Sequence, residues 1–120
     1  MGLSSGHICG YAIKTKDLKF DINRLVELGF DNDDIEELVT NNNDLRNEIL
    51  ENNETMLGIK YHYSEDIEPW ISVPIEYILN DPEAKFWAIG HMKQVVEGYI
   101  KKRGIINPED FEFQSFSYFK

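Results

Sequence analysis

The densest run of potential metal ligands is Asp31-Asn32-Asp33-Asp34-Ile35-Glu36-Glu37. A calcium loop of the EF-hand kind needs oxygen donors at alternate positions, glycine at the sixth and glutamate at the twelfth. Counted from Asp31, the fifth position is Ile35, the sixth Glu36 and the twelfth Asn42, so that chemistry is not expected. Zinc would draw on His7, Cys9, His62 and His91, which lack paired ligand spacing and fall on different expected elements, the first two apart. Ser4, Ser5, His7 and Cys9 offer a nucleophile beside a base. His7 and Cys9, two apart in an expected strand, point the same way, but no family-type signature surrounds them and no orienting third group is evident. The reading is a non-enzyme with no catalytic residue, no metal and no cofactor.

Carboxylates still have a use as a charged surface. From Glu27 to Glu54 the chain carries ten acidic residues and one base, Arg46, a net charge of −9 in a chain whose total is −10. Concentrated charge of one sign repels itself and accelerates association with an oppositely charged partner. The expected contact set is Asp31, Asp33, Asp34, Glu36, Glu37, Asp44, Glu48 and Glu51. The expected partner is a basic protein surface, such as the nucleic-acid-binding face of another protein, which the carboxylates would occupy as a nucleic-acid mimic. Small inhibitors of the phage anti-defence or bacterial immunity type have this general character. Two alternatives remain open. One is a small-ligand pocket or enzyme lined by Tyr61, Tyr63, Trp70, Trp87 and His91, with Cys9 or His62 as further polar groups. The other is a homodimer or structural assembly through the Trp87, Gly90, His91, Gln94 and Gly98 side of a long helix, or through an exposed edge strand.

Composition narrows the field. A chain of 120 residues is one domain, 1–120, and its apolar fraction of 42% can supply a core. Net negative charge argues against direct binding of nucleic acid or anionic membranes. A single cysteine, Cys9, forms no internal disulfide and fits a reducing, cytoplasmic compartment. No apolar run long enough to span a bilayer occurs. No leader is expected, and Met1-Gly2-Leu3-Ser4-Ser5-Gly6 misses the myristoylation pattern at Gly6. The abundance of Asn, Asp, Ile and Lys suggests a bacterial or phage coding bias.

The elements that must position these residues follow from periodicity and caps. His7 to Lys14 reads as a strand. Asp21 caps a helix over Ile22 to Leu28 that Gly29 stops. Asp31 caps the next helix, with Ile35, Leu38 and Val39 on one face, and Asp44 caps a third that ends at Asn52 and Asn53. Thr55 to Tyr63 alternates as a strand and pairs with Trp70 to Val73 across an acidic loop, Ser64 to Pro69. Ile75 to Leu79 suits helix or strand. A long helix runs from Pro82 to Arg103, with Phe86, Ile89, Met92, Val96, Tyr99 and Ile100 on one face and Gly104 as its stop. Phe111 to Phe119 forms a last strand, with a phase slip near Gln114 and Ser115.

Leu25-Val26-Glu27-Leu28-Gly29-Phe30 followed by Asp34-Ile35-Glu36-Glu37-Leu38-Val39 resembles the helix corner of winged-helix regulators of the mercury-resistance type, and of ubiquitin-associated domains. The resemblance covers about fifteen residues, lacks the regulators' flanking basic residues, and implies local geometry alone. The expected class is α+β. A small antiparallel sheet of about four strands carries a long C-terminal helix and an acidic helical insert over about 21–54.

Overall fold

The computed structural model describes residues 5–40, 43–65, 67–81 and 92–119. Strand β1 (Ser5–Lys14) is followed by a single 3-10 turn and then by a helical insert: α1 (Ile22–Leu28), α2 (Asn32–Val39), α3 (Asn43–Asn52) and α4 (Glu54–Leu57). The hairpin β2 (Lys60–Ser64) and β3 (Ile67–Pro74) comes next, then α5 (Ile75–Leu79), α6 (Met92–Lys101) and β4 (Glu112–Phe119). The four strands form one antiparallel sheet in the order β2-β3-β1-β4. Among the described residues, no helix is long and apolar enough to cross a membrane.

The insert folds as its caps dictate. The Asp21 carboxylate accepts from the Arg24 amide, and Gly29 ends α1 in the left-handed region at φ 100°. Asp31 repeats the device on α2, accepting from the Asp34 amide at 2.8 Å. Each helix then turns its apolar stripe inward: Leu25 from α1, Ile35 and Leu38 from α2, Ile49 and Leu50 from α3. These side chains meet Ile13, Ile71 and Val73 of the sheet, together with Val96, Tyr99 and Ile100 of α6, in the main core.

The opposite sheet face holds a second, smaller cluster. Ile8 and Ala12 of the central strand lie under Ile67, Trp70 and Phe116. Trp70 and Phe116 come from the two strands that flank β1 and meet edge to face, centroids 5.9 Å apart. This two-sided arrangement corrects the expected phase slip. The β1–β4 register runs unbroken from Ser5↔Phe119 to Ala12↔Glu112. Phe113 and Phe116 differ in parity because each face has its own aromatic neighbours, Tyr11 for Phe113 and Trp70 for Phe116.

Three further expectations change. The strand expected over Thr55 to Tyr63 is helix α4 up to Leu57, and pairing starts only at Lys60. Gly58, at φ 61°, makes the corner that lets Leu57 and Ile59 both enter the core. α3 starts at Asn43, which puts Asp44 in its first turn rather than at its cap. The expected loop Ser64 to Pro69 is shorter, because β3 begins at Ile67 and its register shifts between His62 and Ser64. Ile75 to Leu79 resolves as helix, with Pro74 closing β3 and serving as the N-cap of α5. The long C-terminal helix is not confirmed. α6 is helical over ten residues, Met92–Lys101, and the expected portion over 82–91 lies outside the described residues. Gly104 does take the left-handed conformation expected of a stop, at φ 84°.

Candidate functional site

The carboxylates of the insert divide into two groups. Asp44, Glu48 and Glu51 sit four and three residues apart on α3, so they share one helical face. Arg46, Ile49 and Leu50 take the other face and are buried. On β2, Tyr61 and Tyr63 are two apart and point to the same side of the sheet. The sheet packs so that these two rows face each other. Between them runs a groove of about 560 Å³, walled by Asp44, Glu48 and Glu51 on one side and by Tyr61, Tyr63 and Pro69 on the other, with Asn43 and Asn47 completing it.

The second group lies on α2. Asp31, Asp33 and Asp34 gather at its N-terminus, and Glu36 and Glu37 follow one turn later; none of these five lines the groove. Partial burial, and then the charges of Asp31 and Asp33, raise the Asp34 carboxyl above the ordinary aspartate value.

The acidic surface has little internal compensation. Arg46, the one base of the Glu27–Glu54 stretch, is 6% exposed. Its Nη2 donates to the Leu18 carbonyl oxygen, and its guanidinium lies over the Phe20 ring. The fold thus withdraws that cation from the surface. Among the described residues, the ion pair that reaches into the stretch is Arg24–Glu27 at 2.8 Å. The groove carboxylates are left to solvent or to a partner.

The groove presents acceptors and negative charge. Three carboxylates offer acceptors. The Asn47 side-chain oxygen is buried and accepts no hydrogen bond within the chain, an arrangement that leaves an acceptor's desolvation uncompensated. Burial is the first reason that the Tyr61 phenol titrates above its ordinary value, and Glu51, Tyr63 and Asp44 add to it. Tyr61 thus stays neutral at physiological pH. Tyr63, 54% exposed, presents its ring at the rim. An ammonium or guanidinium here meets carboxylates and an aromatic face together, whereas an anion meets like charge.

The other aromatic candidates do not join this groove. Trp70 pairs with His62 across the hairpin and points to the opposite sheet face from Tyr61. Trp87 and His91 lie outside the described residues. Of the helix side suggested as a dimer seam, Gln94 and Gly98 are exposed, a Cβ on Gly98 would meet nothing within 4 Å, and the remaining members lie outside the described residues.

His7 and Cys9 do share one face of β1. The His7 ring nitrogen Nδ1 lies 3.0 Å from Ser117 Oγ on the neighbouring strand, in an exposed position, and Cys9 is exposed. Among the described residues no group of three or more His, Cys, Asp or Glu side chains could hold a metal ion.

Asn47 and Pro69 were not singled out in the sequence. Asn47, three residues from Asp44 and four from Glu51, was legible as a member of the acidic stripe. Pro69 had no signal, since the hairpin register that seats it is a tertiary outcome. No family model, curated protein or solved structure matches this chain.

Proposed function

We propose that this protein is an interaction domain that binds a basic segment of another protein, seating a lysine or arginine side chain between α3 and the β2–β3 hairpin. The observation that carries this reading is the groove in which Asp44, Glu48 and Glu51 face Tyr61 and Tyr63, with the only base of the stretch turned into the core. The α2 carboxylates extend the negative field and steer the encounter. Successive acidic positions on α3 advance by about 4.5–6 Å along its axis, a regular ladder of charge of the kind that a nucleic-acid-binding surface reads. Occupying such a surface, and so inhibiting it, is the biological form of the activity that this spacing supports.

The test is fluorescence anisotropy with a labelled nonapeptide of alternating lysine and arginine, at 20 and 200 mM NaCl. Neutralising the groove (Asp44→Asn, Glu48→Gln, Glu51→Gln together) is expected to weaken binding tenfold or more and to flatten its salt dependence. Neutralising Asp31, Asp33 and Glu36 should cost less, because those charges act at a distance and are screened. Equal losses from the two sets would reduce the groove to ordinary surface charge, and no loss from either would refute the reading.

A further inference from the structure

The two edges of the sheet differ in how they are protected. A strand at an edge presents a row of unpaired N–H and C=O groups, and folded chains blunt such edges with charge, proline, bulges or a covering element. β2 is blunted: it has five residues, opens on Lys60, shifts register between His62 and Ser64, and has α3 and α4 packed beside it. β4 carries none of these devices. It runs for eight residues in unbroken register with β1. From Phe113 to Phe119 it holds no charged residue, proline or glycine. Among the described residues, β1 is the one strand it pairs with. No side chain from Glu112 to Ser117 is buried, and Phe113 is 53% exposed.

The order of residues along β4 selects what pairs with it. Phe113-Gln114-Ser115-Phe116-Ser117-Tyr118-Phe119 reads the same in both directions about Phe116, except that Gln114 stands against Tyr118. Two antiparallel copies related by a two-fold axis at Phe116 therefore set Phe113 opposite Phe119 and Ser115 opposite Ser117 of the second copy. Opposed residues point to the same side, so the two sheets join with like faces together. Glu112 precedes the segment and Lys120 follows it, so an antiparallel pair brings the acidic end of each copy to the basic end of the other. The overall charge permits this approach, because the acidic groove lies against β2, at the far edge of the sheet. The joined sheet holds the two grooves seven strand spacings apart, about 33 Å, which is several Debye lengths at physiological salt. We infer that β4 is a self-association edge, through which two copies of this chain pair antiparallel about Phe116 and join their sheets into one. The inference does not depend on the reading of the acidic groove.

The experiment is sedimentation equilibrium of the full chain at concentrations up to about 0.5 mM. It should fit a monomer–dimer equilibrium that approaches twice the chain mass of 14.0 kDa. Ser115→Lys with Ser117→Lys sets like charges face to face across the axis and should weaken the dimer at least tenfold, although it lowers the net negative charge of each copy. The same two charges added at the exposed Asn52 and Thr55, beside the other edge, should leave the dimer undiminished. Amide hydrogen exchange of the unaltered chain gives a second readout, which survives if the lysine pair fails to fold. Alternate β4 amides, those that point away from β1, should slow as concentration rises. A chain that stays monomeric throughout, including one whose β4 instead takes up an extended segment of another protein, would overturn the inference. So would a dimer that the β4 lysines do not weaken, or one whose slowed amides lie outside β4.

Discussion

The Arg46 guanidinium lies 5.2 Å from the centre of the Phe20 ring, and this places the base of an acidic helix against the loop that follows β1. The contact joins α3 to that loop and leaves Asp44, Glu48 and Glu51 uncompensated on the opposite face. Arg46→Met keeps much of the volume but strips the Leu18 carbonyl of its donor and the ring of its cation. Urea unfolding should show a loss of about 2 kcal/mol. An unchanged midpoint would mean that relief of the buried charge offsets both contacts.

At the rim of the acidic groove, Tyr63 should contribute through its ring rather than its hydroxyl. Tyr63→Ala is expected to weaken the basic nonapeptide by about fivefold, the scale of one exposed cation–π contact, while Tyr63→Phe leaves affinity near wild type. Equal losses from both changes would assign the role to the hydroxyl.

Gly58 and Tyr99 should prove energetically coupled. The Tyr99 hydroxyl donates to the Gly58 carbonyl at 3.0 Å, and a Cβ on Gly58 would collide with that hydroxyl and approach Arg103 Nε. Gly58→Ala should cost about 2–3 kcal/mol, combining the left-handed backbone penalty with the displaced contact. Tyr99→Phe should cost about 1 kcal/mol. In the double variant the two losses should sum to less than additive; strict additivity would show that backbone strain alone is at work.

Asn107 is a buried clamp between the loop after β1 and the segment before β4. Its Oδ1 accepts from the Lys19 amide at 3.0 Å, and its Nδ2 donates to the Asp17 carbonyl and to Asp110. Asn107→Ala should cost about 2–3 kcal/mol, measured by chemical denaturation.

Acid and neutral pH should act on Glu68 and Asp34 with opposite signs. Hydrogen bonds from Lys14 and Lys16 hold the Glu68 carboxyl below the ordinary glutamate value. Its stabilisation is therefore present above that ordinary value and lost as pH falls through the lower folded one. Asp34 is raised, so the folded chain binds its proton more tightly than the unfolded chain does. Stability linked to Asp34 is full below the ordinary aspartate value and declines as pH rises through the folded one. Denaturation between pH 3 and 7 should show that Glu68→Gln shrinks the acid-induced loss. Asp34→Asn should gain stability at pH 7 and none at pH 3. A gain independent of pH would trace to helix propensity instead.

Local chemistry was legible in the sequence. Asp21, Gly29 and Asp31 announce α1 and α2 because capping is settled within a few residues, and the 44, 48, 51 spacing announces a single acidic face because helical periodicity fixes it. Alternation misled at Thr55 to Leu57, where the same apolar positions satisfy a short helix once Gly58 turns the chain. It misled again at Phe111 to Phe119, where aromatic rings find ring neighbours on both sheet faces.

The sequence by itself determined the sign of the surface, the helical insert and most of its boundaries, since these depend on composition and on neighbours a turn away. Only the tertiary structure decided that Asp44, Glu48 and Glu51 face Tyr61 and Tyr63 while the α2 carboxylates do not, and that Arg46 turns inward. Both depend on how α3 sits against the hairpin. That placement is set by burial of Ile49, Leu50, Leu57 and Ile71 in one core, a non-directional force that sums over partners distant in sequence and leaves no local pattern to read.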